Sequence, residues 1–205
     1  MKKVHIALII LPSILFIILA IFIQAERTEG FEIFVYNGTV AHMSPTVTKI
    51  VKVITHTGDP IAVILICFIL LSVPSLKIKY GLPVGINVIL LEIVNYTLKI
   101  IFARERPDIL RLVTEKTPSF PSGHAMINSA IYIMLALCVD KYIKSKRIKY
   151  PIIIMCILYP FVIGFTRVYL GVHYITDVMG GWLLGISLTF VVFNMLEKTN
   201  NKEKD

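Results

Sequence analysis

Thr117-Pro-Ser-Phe-Pro-Ser-Gly-His-Ala125 stands between two long apolar runs and marks the point where a loop becomes a membrane helix. Pro118 and Pro121 keep the approach extended and deny it a helical path. Ser122 is then a good N-cap, and Gly123 lets a bulky anion come close to the backbone. The first N–H groups of a helix lack internal partners and carry partial positive charge, so such a turn cradles anions. His124 follows at once, a side chain able to give or take a proton near neutral pH. An anion site beside a proton donor suits phosphate-ester chemistry. A capped helix start carrying an unrelated histidine accounts for the same residues.

Around that turn, the 205-residue chain is 56% hydrophobic and 17% charged. The apolar residues gather in runs of membrane-spanning length, which excludes a soluble globular domain. The pattern predicts an all-α, polytopic membrane protein, a single domain over residues 1–205 with six transmembrane helices in one bundle. The spans fall at about 4–23, 56–74, 81–102, 122–139, 150–166 and 177–196. The first apolar run is about twice the core of a secretory signal and reads as a retained span. Ser44-Pro45 starts a surface helix in which Val47, Ile50, Val51 and Ile54 lie opposite Lys49 and Lys52. Asn37-Gly38 reads as a turn, 75–80 as a short basic turn and 197–205 as a mobile tail. His56 and Asp59, at the start of the second span, are placed to touch the site, but read first as capping and dipole-compensating residues at a helix N-terminus. Glu92, in mid-span, reads as a packed or hydrogen-bonded polar residue. Cys67, Cys138 and Cys156 are odd in number and sit inside apolar runs, so they read as buried core residues, not disulfides or metal ligands.

With the N-terminus inside, six spans leave both termini, the 75–80 turn and the 140–149 turn in the cytoplasm. Those segments hold twelve of the 21 Lys and Arg residues, while nine acids balance the nine basic residues elsewhere. The whole net charge of +8 therefore lies on the inner face, the positive-inside pattern, and needs no nucleic-acid partner. The expectation is a multi-pass protein of the cell membrane, both termini cytoplasmic, with the reactive residues facing outside.

Two further clusters lie at that outer face. Lys99 and Arg106 are seven residues apart, nearly two helical turns, and share a face if the helix persists to Pro107. An ammonium and a guanidinium so placed suit a phosphate group, whereas basic residues at a helix end also simply reach for headgroups. Arg104 and Arg111 read as doing that simpler work. In Thr166-Arg167-Val-Tyr-Leu-Gly-Val-His173-Tyr-Ile-Thr-Asp177, the His and Asp four apart are neighbours across one helical turn. The aspartate can accept the proton on one imidazole nitrogen and leave the other free to attack. Two histidines and one aspartate converging with three cations would repel a divalent metal, so neither metal nor cofactor is expected.

Taken in order, Lys99-x6-Arg106-Pro107, Pro121-Ser122-Gly123-His124 and Arg167-x5-His173-x3-Asp177 resemble the three signature motifs of the type 2 phosphatidic acid phosphatase family. Thr166 stands where the family more often has Ser, and keeps the hydroxyl. The resemblance implies His173 as nucleophile, Asp177 as its orienting partner and His124 as proton donor and acceptor. It implies that Lys99, Arg106, Arg167, Ser122 and the Gly123 amide bind the phosphoryl oxygens, with Pro107 part of the first motif. The substrate would be a membrane lipid phosphate, phosphatidylglycerophosphate with phosphatidate tolerated, or undecaprenyl diphosphate. A protein that only binds anionic lipid, and a transporter using intramembrane charges, are the readings from other classes.

Overall fold

The computed structural model describes residues 2–108 and 110–202, in which all regular structure is helical. The helices are α1 (Lys3–Gln24), α2 (Glu29–Val40), α3 (Pro45–His56), α4 (Pro60–Ser72), α5 (Pro74–Phe102), α6 (Gly123–Tyr142), α7 (Lys146–Tyr169) and α8 (Ile175–Lys202). Five of them are each long and apolar enough to cross a membrane, and α3 with α4, bent by 43°, makes a sixth if the pair is one span.

The bundle is built around α6, which packs against α8, α7 and α5, while α1 lies along α8. From Ala125 to Val139 most side chains of α6 are buried. The outward faces carry bare aliphatic and aromatic groups, among them Ile64 and Phe68 on α4, Ile89 and Ile93 on α5, and Ile154 and Leu158 on α7. Such a surface suits hydrocarbon and would be insoluble in water.

The approach of α8 to α6 sets up the site. A Cβ on Gly181 would lie 2.6 Å from the Ser122 carbonyl oxygen, and one on Gly185 would lie 2.5 Å from Ser129 Cβ. Two glycines four apart clear one face of α8, so the backbones close to a distance no larger residue allows. The first turns of both helices meet as a result, and Ser122 N donates to the Asp177 carbonyl at 3.0 Å. Just before α6, the wholly buried Phe120 stacks on Phe16 at 5.5 Å and meets Phe102 edge-on at 4.8 Å. This aromatic anchor pins the end of the preceding loop to α1 and α5.

Several local expectations are corrected. Residues 75–80 are helical: α5 starts at Pro74 and passes through a π-turn at Lys77–Gly81. Gly81 there lies so close to α4 that a Cβ would stand 2.6 Å from the Leu70 carbonyl oxygen. Asn37 and Gly38 lie in the last turn of α2, where poor helix formers cost least, rather than in a turn. The tail continues α8 through Lys202, with Lys141 paired to Glu197 at its base, and 203–205 lie outside the described residues. Glu92 is exposed beside Ile89 and Ile93 and makes no hydrogen bond among the described residues. The helix expected from Ser44-Pro45 is α3, capped by the Ser44 hydroxyl, and its Val51 packs toward Tyr169, Leu170 and Val172.

Candidate active site

All three motifs reach one end of the bundle, but not by the route that spacing alone suggests. Lys99 is in the last turn of α5, which ends at Phe102 because Ala103 adopts a left-handed conformation with φ of 44°. Arg106 therefore does not share a helical face with Lys99. It lies in the loop that follows and is held there by its own hydrogen bonds. Nε donates to the Thr117 carbonyl at 2.7 Å and Nη1 to the Val172 carbonyl at 2.7 Å. The guanidinium thus bridges the 103–122 loop to the turn before α8. Lys99 is buried, and its ammonium donates to the Pro118 carbonyl. Pro107 is buried beside Val168 and His173 and shapes the turn.

His173 sits in the turn between α7 and α8 and is 3% exposed. Its Nε2 lies 3.3 Å from Arg106 Nη1, while Nδ1 lies 3.5 Å from Asp177 Oδ2 and has no closer partner among the described residues. Burial, with Arg106 and Lys99 adding to it, lowers the imidazole pKa to about 3, although Asp177 acts in the opposite direction. The ring is therefore neutral at physiological pH, and the geometry directs its proton toward Asp177 and its free lone pair toward the cations.

Asp177 is completely buried in the first turn of α8. Oδ2 accepts from the Tyr174 amide at 2.8 Å and from the Ser119 hydroxyl, and Oδ1 accepts from Arg104 Nη1 at 2.5 Å. Arg104 also reaches Glu32 of α2 at 2.7 Å and Thr176 at 2.9 Å. The expectation that Arg104 merely snorkels is corrected: it is a partly buried tie between α2, the loop and Asp177. Burial alone would lower its pKa, but the two carboxylates outweigh that and raise it. Arg111 meanwhile curls back onto the carbonyls of Pro107 and Arg106.

Arg167 closes the last turn of α7 and is 2% exposed. Nη1 donates to Thr55 at 2.9 Å, Nη2 meets the Glu115 carboxylate, and Nε has no partner among the described residues. Glu115, which the motifs do not touch, occupies an oxygen-binding edge of that guanidinium. Ser122 caps α6 as expected, its hydroxyl 3.5 Å from the Ala125 amide. Gly123 leaves room where a Cβ would press within 3.1 Å of Asn95 Oδ1. His124 Nε2 lies 2.7 Å from Asp59 Oδ1, so Asp59 is no simple helix cap; its carboxylate caps no amide. The sequence offered Asp59 as a residue that could touch the site but not as the partner of His124, 65 positions away, and it gave Arg104 no link to Asp177, 73 positions away.

A cavity of about 510 Å³ opens on the far side of Arg104, walled by Glu26, Glu29, Glu32 and Tyr174. Neither histidine lines it, nor do Lys99, Arg106 and Arg167, and its acidic wall is unsuited to phosphate.

A neutral imidazole with Arg106 at one nitrogen and Asp177 toward the other, and with Lys99 close enough to act on it, is equipped for phosphoryl transfer. The family model of the PAP2 superfamily matches residues 80–201, which contain all three motifs. The chain belongs to the PAP2 superfamily. As a member it is a multi-pass helical phosphatase of lipid phosphates. It is 32% identical to phosphatidylglycerophosphatase B of Bacillus subtilis, over 89% of this chain and 92% of that one. It is 27% identical to an undecaprenyl-diphosphatase of Sulfolobus acidocaldarius, over 87% of this chain and 86% of the relative. The crystal structure of a transmembrane PAP2 type phosphatidylglycerolphosphate phosphatase from Bacillus subtilis superposes with a TM-score of 0.85 at 28% identity, covering 94% of this chain and 97% of that one.

Proposed function

We propose that the protein hydrolyses phosphatidylglycerophosphate, and phosphatidate as a second substrate, at the outer membrane face through a phosphohistidine intermediate and without metal. The observation that carries this reading is the neutral His173, its Nε2 on the Arg106 side and its Nδ1 toward Asp177. Nε2 bonds to phosphorus as the bond to the lipid oxygen breaks, and that oxygen takes a proton from His124. Water then attacks phosphorus, His124 takes its proton, and the nitrogen–phosphorus bond breaks to release phosphate. Lys99, Arg106 and Arg167 neutralise the phosphoryl oxygens, with Ser122 and the Gly123 amide at the α6 start adding the helix-end donors. Three cations supply the charge stabilisation for which a divalent ion would otherwise serve. Glu115 must leave the Arg167 edge for the phosphoryl group to bind.

The choice of lipid follows the Bacillus relative named as phosphatidylglycerophosphatase B. The second reading, undecaprenyl diphosphate, follows the Sulfolobus relative named as an undecaprenyl-diphosphatase. Phosphate release by purified protein in detergent with EDTA, assayed on both lipids, separates them. Release from phosphatidylglycerophosphate is expected to survive EDTA and to fall at least about 10³-fold in His173→Ala. A need for added metal, or full activity without His173, sinks the mechanism; preference for the diphosphate overturns the substrate.

A further inference from the structure

The carboxylate that touches His124 is itself held from outside. Asp59 Oδ1 lies 2.7 Å from His124 Nε2, and Oδ2 lies 2.6 Å from His56 Nδ1. Side-chain exposure rises along this row, from 14% at His124 to 30% at Asp59 and 67% at His56. Asp59 stands where an N-cap of α4 would stand, yet its oxygens leave the helix amides alone and go to the two imidazoles. A free N-cap aspartate would take those amides by default, so the tertiary structure has redirected it.

The turn that carries Asp59 is docked onto α6 beside His124. Asn128 Nδ2 donates both to the Gly58 carbonyl at 3.1 Å and to the His124 carbonyl at 2.9 Å, tying the two backbones together. A Cβ on Gly58 would lie 2.9 Å from that same nitrogen and 2.8 Å from Ile163 Cγ2. Only glycine lets the bend between α3 and α4 come this close. The contact between Asp59 and His124 is therefore built by packing on both sides.

We propose that Asp59 is the positioning residue of His124. This inference rests on the reading of His124 as the proton donor and acceptor. Asp59 accepts the Nε2 proton, so Nδ1 is the nitrogen that faces the reacting oxygen. It also stabilises the imidazolium, the form that protonates the leaving group. The other charged groups facing His124 are Arg167 from α7, which opposes the imidazolium, and Glu115 from the loop, which supports it. Glu115 is displaced when phosphate arrives, which leaves Asp59 to offset Arg167. In the first step the His173–phosphorus bond forms, the phosphorus–oxygen bond to the lipid breaks, and the Nδ1 proton of His124 passes to that oxygen. In the second step Nδ1 regains a proton from the attacking water while the nitrogen–phosphorus bond breaks. Asp59 keeps its Nε2 hydrogen bond throughout and stays ionised. His56 braces its second oxygen from the solvent side.

The test exploits the leaving group. A lipid alkoxide must be protonated as it departs, whereas the nitrophenolate of p-nitrophenyl phosphate need not be. With kcat/KM, which reports the first step, Asp59→Asn is expected to lose roughly 10²-fold on the lipid phosphate and only a few-fold on p-nitrophenyl phosphate. The alkaline limb of the lipid profile is expected to move to lower pH, because the acid form has lost its counter-charge. Should Asp59→Asn not fold, Asp59→Glu and His56→Asn carry the same test, with smaller losses confined to the lipid. Equal losses on both substrates, with an unmoved pH profile, overturn the proposal in favour of a structural role. His124→Ala tells the two levels apart. If it shows the leaving-group split and the Asp59 variants do not, only the positioning role falls. If His124→Ala loses both substrates equally, the acid–base reading of His124 falls with it.

Discussion

Asp177 holds four partners with two oxygens: the Tyr174 amide, the Ser119 hydroxyl, Arg104 and, more distantly, His173. At this scale the partners of Asp177 keep it ionised, while burial and the neighbouring cations, against the pull of Asp177, hold His173 neutral. The consequence is a signed pH dependence. His173 has a folded-state pKa of about 3 against an ordinary value of 6.5. Between those values the unfolded chain binds a proton that the folded chain refuses, so this contribution is complete above about pH 6.5 and is lost as pH falls toward 3. Thermal unfolding in detergent is expected to show wild type losing stability through that window by up to about 1.4 kcal/mol per pH unit more than His173→Asn. Parallel acid profiles for the two would mean that His173 is not buried neutral. Of this residue-scale picture the sequence showed the actors, because His173 and Asp177 are four apart and local spacing makes them neighbours. It did not show Arg104 or Asp59 in their parts, since each meets its partner across more than sixty residues.

Among the elements, α6 and α8 carry the argument. Gly181 and Gly185 let their backbones close, and that closure puts the Ser122 amide on the Asp177 carbonyl. Gly181→Ala is expected to cost about 1–3 kcal/mol and to depress activity, since a methyl 2.6 Å from the Ser122 carbonyl oxygen must push the helices apart at the site. Gly30→Ala, with nothing within 4 Å, serves as the control and is expected to leave stability equal or slightly raised. Matching melting curves for the two variants would show that the close approach is dispensable. Apolar runs made the long helices legible, because a span must satisfy its backbone internally whatever its neighbours. Ends were less legible. The early start of α5 at Pro74 and the long reach of α8 depend on contacts with other helices, to which a single segment's composition is blind.

For the whole molecule, twelve of the 21 Lys and Arg residues lie in the termini and in the segments 75–80 and 140–149, while the motif residues lie along the end of α5, the 103–122 loop, the start of α6 and the stretch from the end of α7 to the first turn of α8. Orientation with the site outside is the expectation that joins charge to function. In a variant with its three native cysteines replaced by serine, an impermeant maleimide is expected to label Lys116→Cys on intact cells and to spare Lys144→Cys until the membrane is opened. The reverse pattern would invert the topology.

The long apolar helices, the segments in which basic residues cluster and the identity of the chemical groups were all readable from the chain, because hydropathy, charge and motif spacing are local properties. The sequence also carried the capped helix start at Ser122-Gly123-His124, since a helix start needs only its own residues. Packing alone revealed that Arg106 works from a loop rather than from a helix face, that Glu115 rests on Arg167, and that Asp59 turns from its own helix to His124. These are meetings between segments distant in the chain, set by how closely helices approach, and hydrogen-bond partners chosen at that distance leave no periodic trace in the order of residues.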